Sequence, residues 1–69
     1  MEITARLTNV RIEALPDSAS LDGFCHVAHG DIYNDTRQRF SDGSPVRTSR
    51  IVKFENGFLH TQNSIYKVI

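Results

Sequence analysis

The chain has 69 residues, of which 39% are hydrophobic and 23% are charged, and its formal net charge is zero. This composition is typical of a globular protein and argues against an intrinsically disordered chain. The length indicates a single domain, residues 1–69, with one small core, because a chain of this size buries only about 60% of its unfolded surface. No run approaches the ~20 apolar residues that span a bilayer, and Cys25 alone cannot form an internal disulfide, so we expect a cytoplasmic protein.

Residues 2–14 fit two patterns of secondary structure. A helical stripe is formed by Ile3, Leu7, Val10 and Ala14. A strand with one change of phase is formed by Ile3, Ala5, Leu7, Val10 and Ile12. Because β-branched residues are frequent in this segment, we predict a strand and keep the helix as the alternative.

The segment from Gly23 to Tyr33 is rich in residues that favour strands and is interrupted by Gly30. A glycine inside such a pattern is typical of a bulge or a sharp bend. Asn34-Asp35 is the next predicted turn.

A cluster of turn residues, Asp42-Gly43-Ser44-Pro45, precedes the third predicted strand. Proline has no backbone N–H to donate to a ladder, so we expect this strand to begin at or after Pro45.

Residues 51–61 predict a β-hairpin, because Asn56-Gly57 readily adopts the two positive φ values of a type I′ turn. A two-residue turn here places Phe54 opposite Leu59 and Val52 opposite Thr61. Side chains alternate along a strand, so one face of the hairpin is predicted to lie in the core. The residues of that face are Val52, Phe54 and Leu59.

A terminal strand is predicted at residues 64–69, after a corner at Gln62-Asn63. About five short strands separated by close turns indicate a mostly β protein with little or no helix. We expect a small antiparallel sheet that curls into a partly open barrel.

The densest group of potential metal ligands is Cys25-His26-x-x-His29-x-Asp31. Zinc requires three or four such groups that converge tetrahedrally, but strand alternation directs His26 and His29 to opposite faces. No nucleophile elbow, phosphate-binding glycine loop or pair of catalytic carboxylates accompanies the group. The sequence therefore predicts no catalytic residue, no bound metal and no cofactor, and the protein is not expected to be an enzyme.

Charge is distributed unevenly between the two halves of the chain. Residues 1–35 hold six acids and two arginines, whereas residues 36–69 hold six bases and two acids, so the halves carry −4 and +4. The asymmetry has two interpretations: a basic face for an anionic partner, or attraction between the halves within one fold. The candidate partner-binding residues are Tyr33, Arg37, Arg39, Arg47, Arg50 and Lys53. Bases interleaved with aromatic residues, here Tyr33, Phe40 and Tyr66, also suit a small β barrel that stacks single-stranded nucleic acid.

Three features stand out in residues 42–52 and 57–68: the Asp42-Gly43 turn, the Thr48-Ser49 pair at the start of a strand, and the ending Thr61-x-Asn63-Ser64-x-Tyr66. In these features the two stretches resemble the C-terminal part of small uncharacterised proteins encoded by bacteriophages, prophages and plasmids. The resemblance implies an accessory protein of a mobile element that acts in the bacterial host cytoplasm.

Three functions are therefore considered. The resemblance favours a non-enzymatic module that binds and occludes a host protein, such as a defence nuclease complex. The alternative is a single-stranded nucleic-acid-binding β barrel, and a third hypothesis is a homo-oligomer assembled through an edge strand. No membrane partner is expected.

Overall fold

The computed structural model describes residues 2–69, which form six β-strands and no helix. The strands are β1 (Ala5–Pro16), β2 (Phe24–Tyr33), β3 (Ser44–Arg47), β4 (Ile51–Glu55), β5 (Phe58–Thr61) and β6 (Ile65–Val68). The prediction of a mostly β protein with little or no helix is confirmed, and residues 5–14 are strand rather than helix. The described residues contain no helix of the length and hydropathy that crossing a membrane requires.

The six strands form one mixed sheet in the order β3-β2-β1-β6-β5-β4. β1 pairs in parallel with β6, with Ala5 beside Tyr66 and Leu7 beside Val68, and every other pair is antiparallel. The sheet therefore differs from the purely antiparallel one that was predicted. The difference arises because the first and last strands of the chain run side by side in the same direction.

The sheet curls but does not close into a barrel. β3 and β4 are consecutive in the chain yet lie at opposite edges of the sheet, so residues 48–50 cross between the edges. Thr48 anchors this crossing on β2: its N–H donates to the Ala28 carbonyl at 2.8 Å, and its Oγ1 accepts from the Ala28 N–H at 3.0 Å. β4, which follows this crossing, contacts β2 although the two strands are not neighbours in the sheet.

A β-bulge interrupts β1 opposite Gly30. Thr8 is paired with Asp31 and Arg11 with His29, so two residues of β1 face one glycine, and Asn9 has a φ of 53°. A Cβ atom on Gly30 would lie 2.8 Å from the Thr8 carbonyl oxygen, which explains why glycine is needed there. The bulge predicted at Gly30 is thus found on the facing strand.

β3 begins at Ser44, one residue earlier than predicted, and contains Pro45 paired with Asp31. The prediction that the strand begins at or after Pro45 is wrong. Proline is accommodated because β3 is an edge strand, where one side of the backbone has no ladder partner.

The core lies on one face of the sheet, where paired residues of neighbouring strands meet. Its largest fully buried side chains are Leu7, Ile32 and Leu59, from β1, β2 and β5. Smaller or partly buried residues complete it: Ala5, Ala28, Tyr66, Val10, Val46, Ile51 and Val68. Burying a large aliphatic side chain contributes about 1.5–3 kcal/mol, so these three residues carry a large share of the stability.

The Asn56-Gly57 hairpin is confirmed. Both residues have positive φ, 55° and 79°, and Phe54 pairs with Leu59 as the two-residue turn requires. A second irregularity shifts the register further along, so that Ile51 rather than Val52 lies opposite Thr61.

The burial predicted for this hairpin is correct for Leu59 and wrong for the other two residues. Leu59 is buried, whereas Val52 and Phe54 are 66% and 59% exposed. The register shift places Ile51 against the core in the position predicted for Val52, and more than half of Phe54 remains exposed on the edge strand β4.

Candidate functional site

An open groove of about 680 Å³ lies between β1 and the β4–β5 hairpin. We call it the apolar groove; it is lined by Val10, Ile12, His26, Ile51, Val52, Phe54, Leu59 and Val68. β1 and β4 supply its walls, while Leu59 and Val68 connect it to the core. One of its lining residues, His26, is polar.

Three large apolar side chains at the groove are exposed. Ile12 is 55% exposed, and Val52 and Phe54 are more so. Single exposed apolar residues are ordinary, but contiguous ones mark interaction surfaces on soluble proteins. Sequence reasoning missed this surface because it assigned Val52 and Phe54 to the core. The available signal was the number of large apolar residues, which exceeds what one small core accommodates.

The potential metal ligands of β2 are distributed between different surroundings. His26 lines the apolar groove, while the Nε2 atom of His29 lies 2.8 Å from the Glu13 Oε1 atom. The Asp31 carboxylate accepts a hydrogen bond from the Asn9 side-chain amide at 2.9 Å. Among residues 2–69, no three histidine, cysteine, aspartate or glutamate side chains converge as a metal site.

Arg50, a predicted partner-binding residue, ties β4 to the loop between β1 and β2. Its Nη2 atom lies 3.1 Å from the Asp17 carboxylate and donates to the Ser20 hydroxyl. The pair joins the basic half of the chain to the acidic half, as the intramolecular interpretation of the charge asymmetry requires.

Asp35 organises the segment that carries Arg37 and Arg39. The backbone N–H groups of both arginines donate to its carboxylate, at 3.0 and 2.9 Å, and the Arg39 Nε lies 3.7 Å away. Burial of the carboxylate acts to raise the pKa of Asp35, but these hydrogen bonds and the Arg39 charge outweigh it. The pKa of Asp35 therefore lies below its ordinary value.

Arg37 connects the same segment to the corner before β6. Its guanidinium donates to the Ser64 hydroxyl at 3.1 Å and to the Asn63 carbonyl at 2.8 Å. Asn63 and Ser64, two residues of the Thr61-x-Asn63-Ser64-x-Tyr66 pattern, thus contact a predicted site residue.

A second surface brings Arg39 and Arg47 together around Phe40. We call it the basic depression; it has a volume of about 220 Å³, and Ser49, Asn63 and Ser64 also line it. The Arg39 guanidinium lies 5.5 Å from the centre of the Phe40 ring, within the range of a cation–π contact. The Arg47 side chain forms no hydrogen bond or ion pair with any residue of 2–69 and is free to meet an anion.

The remaining predicted residues lie away from this depression. Lys53 is on β4 and forms an exposed ion pair with Glu55 at 3.6 Å. Tyr33 is at the end of β2, where its hydroxyl approaches Gly43. Tyr66, by contrast, lines the depression, but it is 6% exposed and belongs to the core, so it offers no face for stacking a base. The six predicted residues are therefore dispersed. Arg39 and Arg47 line the depression, and Arg50 and Lys53 lie on the β4 side. Arg37 contacts the corner before β6, and Tyr33 lies at the end of β2.

Comparison with protein families, with curated proteins and with solved structures gives no match to this chain. The fold and its two surfaces define a small mixed-sheet β protein with one exposed apolar groove and one shallow basic depression.

Proposed function

We propose that the chain is a non-enzymatic protein-binding module of a bacteriophage or other mobile element, which occludes a host protein in the bacterial cytoplasm. The observation that carries this proposal is the exposure of Ile12, Val52 and Phe54 around the apolar groove. A host defence nuclease complex is the class of target that the resemblance of residues 42–52 and 57–68 favours.

The groove has the anatomy of a protein interface. Such interfaces place a few aromatic or large apolar residues at the centre and polar residues at the rim. Phe54 is the aromatic anchor here, and its strand neighbours Lys53 and Glu55 are exposed charged residues. A small-molecule site instead encloses most of its ligand and presents several convergent polar groups. With His26 as the one polar residue that lines it, the groove suits an apolar segment of a protein better.

Occlusion, rather than chemistry, suits the residues at this surface. General acid–base or nucleophilic catalysis needs at least two reactive groups within hydrogen-bond reach of each other. The described residues lining the groove include no acid, no thiol and no hydroxyl beside His26. The apolar walls of the groove can supply binding energy, but the described residues that line it contain no pair of reactive groups.

Single-stranded nucleic-acid binding is the second candidate, and the basic depression favours it. Arg39, Arg47 and the exposed ring of Phe40 are the combination that tracks phosphates and stacks a base. Against it, Arg37, Arg39, Arg50 and Lys53 are each engaged with groups of the chain itself, and the net charge is zero.

The test compares capture of a host protein by tagged wild-type chain and by two variants in nuclease-treated bacterial lysate. Phe54→Ser removes the anchor of the groove. Leu21→Ser is the matched control, because Leu21 is fully exposed in the loop between β1 and β2 and does not line the groove. The captured protein is then purified and its affinity for each form is measured by calorimetry.

We expect Phe54→Ser to weaken this affinity about 30-fold, because truncation of an interface anchor costs about 2 kcal/mol or more. Leu21→Ser should bind as wild type does. Equal weakening by both variants would contradict the proposal. Capture that disappears with nuclease treatment, and that Arg39→Glu with Arg47→Glu abolishes, would favour the nucleic-acid function instead.

A further inference from the structure

The edge of β1 next to β6 is open over much of its length. β1 pairs with β2 from Arg6 to Pro16 but with β6 from Ala5 to Leu7 only. The last bond on that side is donated by the Ile69 N–H to the Leu7 carbonyl at 2.9 Å. Within residues 2–69 no strand pairs with residues 10–15 on this side, and residues 11–14 are exposed. An unpaired strand edge is a template for another strand.

The side chains along this edge alternate in a self-complementary way. Val10, Ile12 and Ala14 share the groove face, whereas Arg11 and Glu13 share the opposite face. A basic and an acidic residue therefore flank Ile12 at equal distances along the strand. An antiparallel copy of the same segment centred on Ile12 would set each Arg11 opposite Glu13 of the other copy.

We propose that a second copy of this chain adds to the free edge of β1, antiparallel, with a two-fold axis at Ile12. Backbone hydrogen bonds join the two copies of β1 into one sheet, and two Arg11–Glu13 pairs lie across the junction. The Oε1 atom of Glu13 is held by His29 at 2.8 Å, and its Oε2 atom has no partner within residues 2–69. That oxygen is available to Arg11 of the second copy.

The charges select this register over its neighbours. Moving the axis to Arg11 places Arg11 opposite Arg11, and moving it to Glu13 places Glu13 opposite Glu13. Like charges directly opposite each other on a sheet are unfavourable. A register shift by a single residue places Ile12 opposite a charged residue. It also directs Val10, Ile12 and Ala14 of one copy to the face opposite the groove of the other copy.

The same register brings the two apolar grooves together. Residues directly opposite each other in an antiparallel pair project from the same face of the sheet. Val10 and Ile12 of both copies therefore lie on one face, and the two grooves open side by side. The dimer goes beyond the proposed function and does not depend on it.

The experiment measures self-association of the 69-residue chain by sedimentation equilibrium, for wild type, Arg11→Glu, Glu13→Arg and an equimolar mixture of the two variants. We expect wild type to dimerise and each single reversal to weaken dimerisation at least 10-fold, because each creates two like-charge contacts. The mixture should recover the wild-type affinity to within about three-fold, because Arg and Glu are again opposite in the heterodimer. Native mass spectrometry identifies that heterodimer.

Arg47→Glu on β3 changes net charge as Arg11→Glu does and should leave the dimer unchanged. Phe54→Ser should also dimerise, so that failure of host-protein capture and failure of the dimer are separate results. A wild-type chain that stays monomeric at about 1 mM would overturn the proposal. Single reversals without effect, or a mixture that remains monomeric, would overturn it equally.

Discussion

Leu59 and Phe54 face each other across the β4–β5 hairpin, yet their alanine variants should differ sharply in stability. Leu59 is 1% exposed and contacts the centre of the core, whereas about two-fifths of Phe54 is buried. Leu59→Ala and Phe54→Ala therefore alter paired positions of the same hairpin, one of them buried and the other mostly exposed.

The expected magnitudes follow from burial. Truncation of a fully buried leucine to alanine costs about 2–5 kcal/mol, because it removes apolar contacts and leaves a cavity. Full burial of a phenylalanine contributes about 1.5–3 kcal/mol, so two-fifths burial corresponds to about 0.6–1.2 kcal/mol for Phe54. A chain of this length has a total stability of about 3–10 kcal/mol, so Leu59→Ala removes a large fraction of it.

Urea unfolding followed by circular dichroism measures both free energies directly, and an unchanged m value shows that the unfolded reference is the same. We expect Leu59→Ala to cost at least twice as much as Phe54→Ala. Equal losses at equal m would mean that the Phe54 ring is buried in solution, and that the apolar groove is filled by the chain itself. That result would refute the assignment of Phe54 as an exposed anchor.

Three further measurements test other parts of the structure. Gly30→Ala should lower the free energy of unfolding by about 1–3 kcal/mol, because its new Cβ would lie 2.8 Å from the Thr8 carbonyl oxygen. A loss below about 0.5 kcal/mol would show that the backbone of β1 moves at the bulge to make room for the Cβ. The pKa of Asp35 is lower in the folded state than its ordinary value of 3.8, so the charged carboxylate stabilises the fold above pH 3.8. This contribution is lost as the pH falls through the pKa of the folded state. The stability difference between wild type and Asp35→Asn should thus be constant from about pH 5 to 7 and shrink in more acidic solution, and a difference that persists there would contradict the assignment. Affinity for a single-stranded oligonucleotide should be weaker than about 100 μM at physiological salt, and a tighter, salt-sensitive complex that Arg39→Glu with Arg47→Glu weakens for all sequences would favour the nucleic-acid function.

The two surfaces differ in how strongly they are coupled to the fold. Arg37 and Arg39 belong to a hydrogen-bonded segment organised by Asp35, so their positions serve the structure as well as any ligand. The side chains of Val52 and Phe54 are mostly exposed on an edge strand and are not part of the core cluster. Substitutions at Val52 and Phe54 therefore separate binding from stability more cleanly than substitutions at Arg37 or Arg39.

The sequence by itself determined the features that depend on neighbouring residues. Asn56-Gly57 specified the hairpin because few residue pairs adopt positive φ twice in succession at low cost. β-branched residues near the start of the chain indicated a strand, and β1 is one. Alternation along β2 was sufficient to direct His26 and His29 to different surroundings.

Only the tertiary structure decided which apolar residues are covered. Phe54 and Leu59 are both large, apolar and on one face of a hairpin, and local sequence does not distinguish them. Leu59 is buried because β6 lies beside β5 and the residue reaches the core, whereas Phe54 lies on the sheet edge. The parallel pairing of β1 with β6 and the position of the bulge opposite Gly30 likewise depend on contacts between segments far apart in the chain. Such contacts are set by how the whole chain fills one small core, and residue-by-residue propensity contains no information about that packing.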